Sequence, residues 1–330
     1  MYHYINKQII FLLFFNILIT SYSSNAQNYI ISYYPLINKA ENYVVQDSLK
    51  KALVKYSEAF HEIKTPFAKD LYNAAVCAST LKNNLLTKNY LLKLAEKKTD
   101  VNFLVKNKFF RHNFTKKFKK DYEKIYNSVK LNYFYIDTLR KMENIDQSIR
   151  NKNKFNGNLV LLETVDPDYN NAKSLYKLIE KYGFPSENEI GLTNFSVLPN
   201  ESSFSLILIH QFGKNYFNFR HLLLEAIQNG LLLPNTGLEL LTRIKGDDFN
   251  SDGFGGYYGI GYYSTVYYMK QDSTYKLSLK VYKEKEIKAI NSERNKLGID
   301  TVENFYKKAV FQEKNSDFIF GLKIIRFSNQ

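Results

Sequence analysis

Cysteine is almost missing. Cys77 is the only one in 330 residues, which excludes an intramolecular disulfide and any cluster of thiolate metal ligands. It lies in "LYNAAVCASTL", an apolar helical pattern in which a buried, inert thiol is expected. A nucleophilic cysteine wants an electropositive, partly exposed setting beside a histidine. Histidine is scarce as well, at five. His61-Glu62 opens like a zinc-binding H-E-x-x-H helix, but Thr65 stands where the second histidine should be, so two ligands cannot share a helix face. No G-x-S-x-G occurs, which excludes the nucleophile elbow. The glycine-rich "GFGGYYGIGYY" (Gly253 to Tyr263) lacks the Lys-Ser/Thr of a P-loop. It also lacks the strand and helix of a dinucleotide-binding unit. Tryptophan is absent and proline numbers six, while Lys, Asn, Ile, Tyr and Phe abound, the usage that an AT-rich coding sequence produces.

Acidic residues are short against basic ones, 32 Asp and Glu to 46 Lys and Arg, for a net charge of +14. Long apolar runs are also missing. The longest, Ile9 to Thr20, is interrupted by Asn16 and falls short of the about 20 residues that span a bilayer. With Lys7 before it and Ser24-Asn25-Ala26 after it, the run reads as a secretory signal peptide cut near Ala26-Gln27. The expected location is therefore extracytoplasmic, periplasmic or secreted, which disfavours nucleic acid as the partner of the positive charge.

Residues 27–150 are predicted to be helical. "DSLKKALVKYSEAF" puts Leu49, Ala52, Leu53, Tyr56 and Phe60 at helical spacing, with Asp47 as the expected cap. "AKDLYNAAVCASTLKNNLLTKNYLLKLAEKK" predicts a further helix pair, with Ala74, Ala75 and Ala78 allowing close approach and Leu91, Leu92 and Leu94 on the partner helix. Ala52-x3-Tyr56-x2-Ala59, followed by Pro66, resembles the second helix of a tetratricopeptide repeat. That resemblance implies stacked helical hairpins offering a concave surface to a protein partner. Residues 106–120 hold seven Lys or Arg and no acid. They interleave with Phe110, Phe114 and Phe118 at spacing four, continued by Tyr122 and Ile125. This predicts one amphipathic helix with an aromatic stripe and a basic face, a candidate contact for anionic lipid or glycan. "NKNKFNGN", residues 151–158, lacks apolar periodicity and is the expected linker.

In residues 159–330, Asp166-Pro167 starts a helix that buries Ala172, Leu175, Leu178 and Ile179 and ends at Gly183 before Pro185. The ordered set Asp168 and Asn171, Gly183-Phe184-Pro185, His210, Arg243, Tyr258-Gly259, and Arg294 with Gly298 resembles an uncharacterised family of bacterial domains that often follows helical repeats in exported proteins. Thr242, Gly256 and Gly261 depart from that family's acidic and glutamine positions. The resemblance makes His210, Arg243, Tyr258 and Arg294 the candidate catalytic residues: His210 as acid, base or ligand, the arginines as bidentate grips on a carboxylate or phosphate, and Tyr258 as a hydrogen-bonding group. The plainer alternative is a capped core histidine and paired arginines. Asp248, Asn250, Asp252 and Gly253 follow the first half of a calcium loop, but Gly259 stands where the loop needs a bidentate glutamate. Calcium is thus the single alternative to having no cofactor, and a turn is the competing reading. "TVYYMK" and "TYKLSLKVY" around "QDS" predict a hairpin, and "FIFGLKII" (Phe318 to Ile325) a third strand.

The expected fold is mainly α (α+β), with TPR-like hairpins followed by a mostly helical domain carrying a small antiparallel sheet. The expected function is a protein-binding or assembly module at the cell envelope. The alternatives are an enzyme, intact or degenerate, and an anionic-surface binder.

Overall fold

A computed structural model describes residues 29–155, 166–192, 203–212, 216–241, 265–271, 274–278, 284–321 and 323–326. The expected signal segment and residues 156–158 of the expected linker lie outside them. The described chain is mostly helical. It opens with α1 (Tyr29–Ser32), α2 (Tyr34–Val45), α3 (Leu49–Glu62), α4 (Ala68–Thr80) and α5 (Asn84–Glu96). Helix α2 packs against α3, α3 against α4, and α4 against α5, giving two stacked hairpins. Alanines at the contacts, Ala52, Ala59, Ala74, Ala75 and Ala78, are fully buried and let the helix backbones approach. Cys77 is buried among them, and burial pushes its thiol up to about 12, which keeps it protonated and unreactive. Asp47 is not the α3 cap. It takes a positive φ of 54° in the turn before Ser48, which occupies the N-cap position.

The basic stretch does not form one helix. Helix α6 (Val101–Val105) ends early, and α7 (Lys116–Ser128) starts where the Thr115 side chain accepts from Phe118 N. Between them Asn107 turns the chain, its Oδ1 accepting from Phe109 N and its carbonyl from Phe110 N. Asparagine competes with helix hydrogen bonding in this way. The aromatic positions still face inward: Phe110, Phe118 and Tyr122 are buried, while the α7 lysines are exposed.

Helix α8 (Tyr133–Phe155) runs through the first five positions of the expected linker. It packs on α9 (Pro167–Tyr182) and α11 (Ser203–Phe212), with the short α10 (Glu187–Ile190) beside it. Helix α9 begins as the sequence predicts. Asp166 caps it through Asp168 N, Pro167 occupies its first turn, and Gly183 closes it at φ +83°. Helices α12 (Arg220–Gln228) and α13 (Pro234–Leu241) follow. No helix among the described residues is long and apolar enough to cross a membrane.

Strands among the described residues are β1 (Thr265–Gln271), β2 (Thr274–Ser278) and β3 (Lys323–Arg326). β1 pairs with β2 antiparallel and with β3 parallel, in the order β2-β1-β3. The sheet is therefore mixed rather than antiparallel. Parallel pairing needs a long crossover, and the chain makes it through α14 (Glu284–Lys296) and α15 (Val302–Lys314). The expected third strand is also shorter, because Phe318 and Phe320 are spent as core residues.

The two halves share one core, a continuous apolar cluster from Tyr29 to Phe320. Helix α15 packs on α2. Tyr34 donates its hydroxyl to Ile227 O at 2.8 Å, and Asn73 closes a pair of hydrogen bonds with Ile319 backbone at 2.7 and 2.9 Å. Beneath this seam runs a buried ionic chain. Lys69 bridges Glu41 and Asp70 at 2.5 and 2.6 Å, and Lys308 bridges Glu41 and Asp300 at 2.6 and 2.8 Å. Burial pushes the Asp300 carboxyl up, but Lys308 and hydrogen bonds from Asn304 and Asn42 outweigh it and hold the carboxyl below its ordinary value of 3.8. A carboxyl depressed on folding contributes stability above its unfolded pKa and loses it as pH falls through the folded one. Urea midpoints of wild type are therefore expected to fall on acidification below about pH 4, and Asp300→Asn to show a shallower fall. Parallel pH profiles for the two would refute the assignment.

Candidate functional site

Three helices converge on the most reactive arrangement among the described residues. Helix α8 buries Tyr135, Leu139 and Met142 and, in register with them, Asp146, whose side chain is only 2% exposed. A carboxylate at a core position must be paired, and three side chains pair it. Arg150, one turn on, reaches Asp146 through Nε at 3.3 Å and Nη2 at 3.2 Å. Gln147 donates to Oδ2 at 2.8 Å. His210, near the end of α11, places Nδ1 2.7 Å from Asp146 Oδ1. Arg150 also reaches Asp168 Oδ1 at 2.8 Å, which ties the first turn of α9 into the group. Burial alone would lower the Arg150 pKa, but Asp146 and Asp168 outweigh it and raise it. Asn171 holds the helices in place by donating to Met142 O at 3.1 Å.

This arrangement has a definite chemical capacity. Asp146 receives the Nδ1 side of the imidazole and so fixes its tautomer and orientation, leaving Nε2 as the proton-accepting atom. The His210 side chain is 22% exposed, so the ring is neither sealed in the core nor free in solvent. Gln211, fully buried beside it, pins the following segment by accepting from Phe217 N and donating to Phe217 O. That places Tyr216 and Phe217 against Tyr169, with ring centroids 5.3 and 5.6 Å apart, next to Asp168. The site thus has a polar floor and an aromatic flank.

Donor atoms of Asp146, Asp168 and His210 lie within 4.8 Å of one another, a spacing that suits a divalent cation. Arg150 already bonds to both carboxylates and supplies the positive charge that such an ion would bring.

Of the sequence candidates, His210 belongs to this site and Arg294 does not. Arg294 lies on α14, is 1% exposed, donates Nε–H to Asp300 O and packs its guanidinium 5.2 Å from the Phe305 ring. Arg243, Tyr258 and the calcium-type residues Asp248, Asn250 and Asp252 lie outside the described residues. Asp168 and Asn171 entered through the resemblance and stand at the site. Asp146 and Arg150 escaped sequence reading, although an acid in register with Tyr135, Leu139 and Met142, and an arginine four residues on, were visible signals. His221 is exposed and lies near the Tyr176 ring, away from Asp146.

No protein-family model, curated protein or solved structure matches this chain.

Proposed function

We propose that the protein is an enzyme in which His210 moves a proton to or from a substrate hydroxyl, or a water, at Nε2. The observation that carries this reading is the 2.7 Å contact between His210 Nδ1 and the buried Asp146 carboxylate. Arg150 pairs with the Asp146 carboxylate, and that carboxylate is placed to stabilise the imidazolium formed when Nε2 takes a proton. Tyr169, Tyr216 and Phe217 form an aromatic cluster next to Asp168 and suit a substrate with an apolar or ring-shaped part. The resemblance to the uncharacterised bacterial domain family supports the same site, since Asp168, Asn171 and His210 are among the residues that carry it. The expected setting is the cell envelope, following the signal-like first 26 residues.

The assembly-module reading, built on TPR-like hairpins, has one observation in its favour: Tyr133, Phe134 and Tyr182 are exposed side by side where α8 and α9 meet. Against it, α15 and residues 318–320 occupy faces of α2 and α4 that stacked repeats would offer to a partner.

The test is a panel of chromogenic esters, phosphomonoesters and phosphodiesters, run with the purified full chain. His210→Gln keeps a donor for Asp146 but cannot accept a proton at Nε2, and is expected to lose about 100-fold in kcat. Asp146→Asn should lose activity while leaving substrate KM nearly unchanged, because Asp146 acts through the imidazole. A wild-type chain inert on the whole panel, or full activity in His210→Gln, overturns the proposal.

A further inference from the structure

A second site stands apart from His210, at the seam between α2, the start of α13 and the α14–α15 corner. Arg294 is fully buried there. Its Nε is used by Asp300 O, yet neither Nη1 nor Nη2 has a hydrogen-bond partner among the described residues. Two such donors left unpaired in the interior are costly. Burial pulls the guanidinium down to about 10, against the opposing pull of Asp300 and Glu303, so it remains charged at neutral pH. The neighbouring carboxylates give its Nη groups no hydrogen bond. Glu41, Asp70 and Asp300 already face Lys69 and Lys308.

Arg294 is among the residues that line a cleft of about 50 Å³. That is several times the roughly 10–15 Å³ that one water requires. Asn235 and Thr236 line it from the first turn of α13, where free backbone N–H groups and the helix dipole favour negative charge. Asn38, Gly298 and Asp300 line both this cleft and a broader open groove of about 490 Å³, which gives the cleft a neighbouring route to solvent.

We infer that this cleft binds the carboxylate group of a small ligand, held by Nη1 and Nη2 of Arg294 as a bidentate pair. A planar guanidinium offers two parallel N–H donors, and a carboxylate presents two acceptor oxygens at matching spacing. A guanidinium can grip phosphate the same way, but phosphate carries further oxygens that need donors of their own, and a cleft of about 50 Å³ suits the smaller, planar group. The inference is independent of the His210 reading, with which it shares no residue.

The probe is sodium acetate, titrated into the full chain at constant ionic strength with sodium chloride as control, and read as a shift in melting temperature. Wild type is expected to be stabilised by acetate beyond the chloride control. Arg294→Lys keeps the charge but not the fork, and should bind acetate at least about tenfold more weakly. Thr236→Leu fills the cleft without touching an ion pair and should abolish the response, which decides the matter if Arg294→Lys folds poorly. No acetate response in wild type, an unchanged response in both variants, or a response to inorganic phosphate without one to acetate would each overturn the inference. Loss of panel activity in His210→Gln with the acetate response intact is the expected sign that the two sites are separate.

Discussion

Glu41→Ala is expected to lose about 4 kcal/mol of folding stability, because it strands charge inside the protein. Glu41 is 4% exposed and is the shared acceptor of Lys69 and Lys308, at 2.5 and 2.6 Å. With it present, three carboxylates (Glu41, Asp70, Asp300) balance three cations (Lys69, Lys308, Arg294). Without it, one buried cation is uncompensated. Removing a cation restores the balance, so Glu41→Ala with Lys308→Met should be less damaged than the sum of the two single variants. Urea unfolding of the four proteins gives the cycle. A coupling near zero would show that the ions are screened from one another and would defeat the account.

Gly298→Ala is expected to cost about 3 kcal/mol, from two additive sources. Gly298 ends α14 with φ +68°, a conformation that costs an L-residue about 1–2 kcal/mol. An added Cβ would also lie 2.7 Å from Tyr34 Cδ2 and 2.9 Å from Tyr34 Cβ. Tyr34 cannot step aside easily. Its hydroxyl is bonded to Ile227 O, and its ring is packed by Tyr29, Tyr33 and Phe67. Gly321→Ala is the control, with the same φ of +68° and only an ordinary contact, Lys69 Cδ at 3.6 Å, for the added Cβ. It should show the backbone cost alone, about 1–2 kcal/mol. Equal losses in the two variants, measured by denaturant unfolding, would mean that Tyr34 yields and that the seam between the halves is softer than its contacts imply.

Both sites owe their geometry to pairings between distant parts of the chain. His210 meets Asp146 across 64 positions, and Lys308 meets Glu41 across 267. Nothing in local periodicity encodes such a meeting. The separation of His210 from Arg294 has the same origin: His210 rides on α11 and is carried to α8, whereas Arg294 rides on α14 and is carried to α2. An ordered string of motif residues specifies sequence positions, and only helix packing decides which of them share a site.

What the sequence determined by itself was local. The small-residue contacts at Ala52, Ala59 and Ala74, the Asp166-Pro167 start and Gly183 end of α9, and the buried inert Cys77 all follow from spacing and from the conformational limits of single residues. The same local rules were outweighed at Asp47, at residues 106–115 and at Phe318 to Phe320. There a turn, an asparagine side chain and the demand of the shared core prevailed over periodicity. The tertiary structure alone decided that the helical hairpins close on the C-terminal segments, and that Asp146 sits under His210. It also decided that Arg294 faces a cleft with two donors unspent. The physical reason is that burial and charge pairing are properties of surfaces brought together, and a chain brings them together only when it folds.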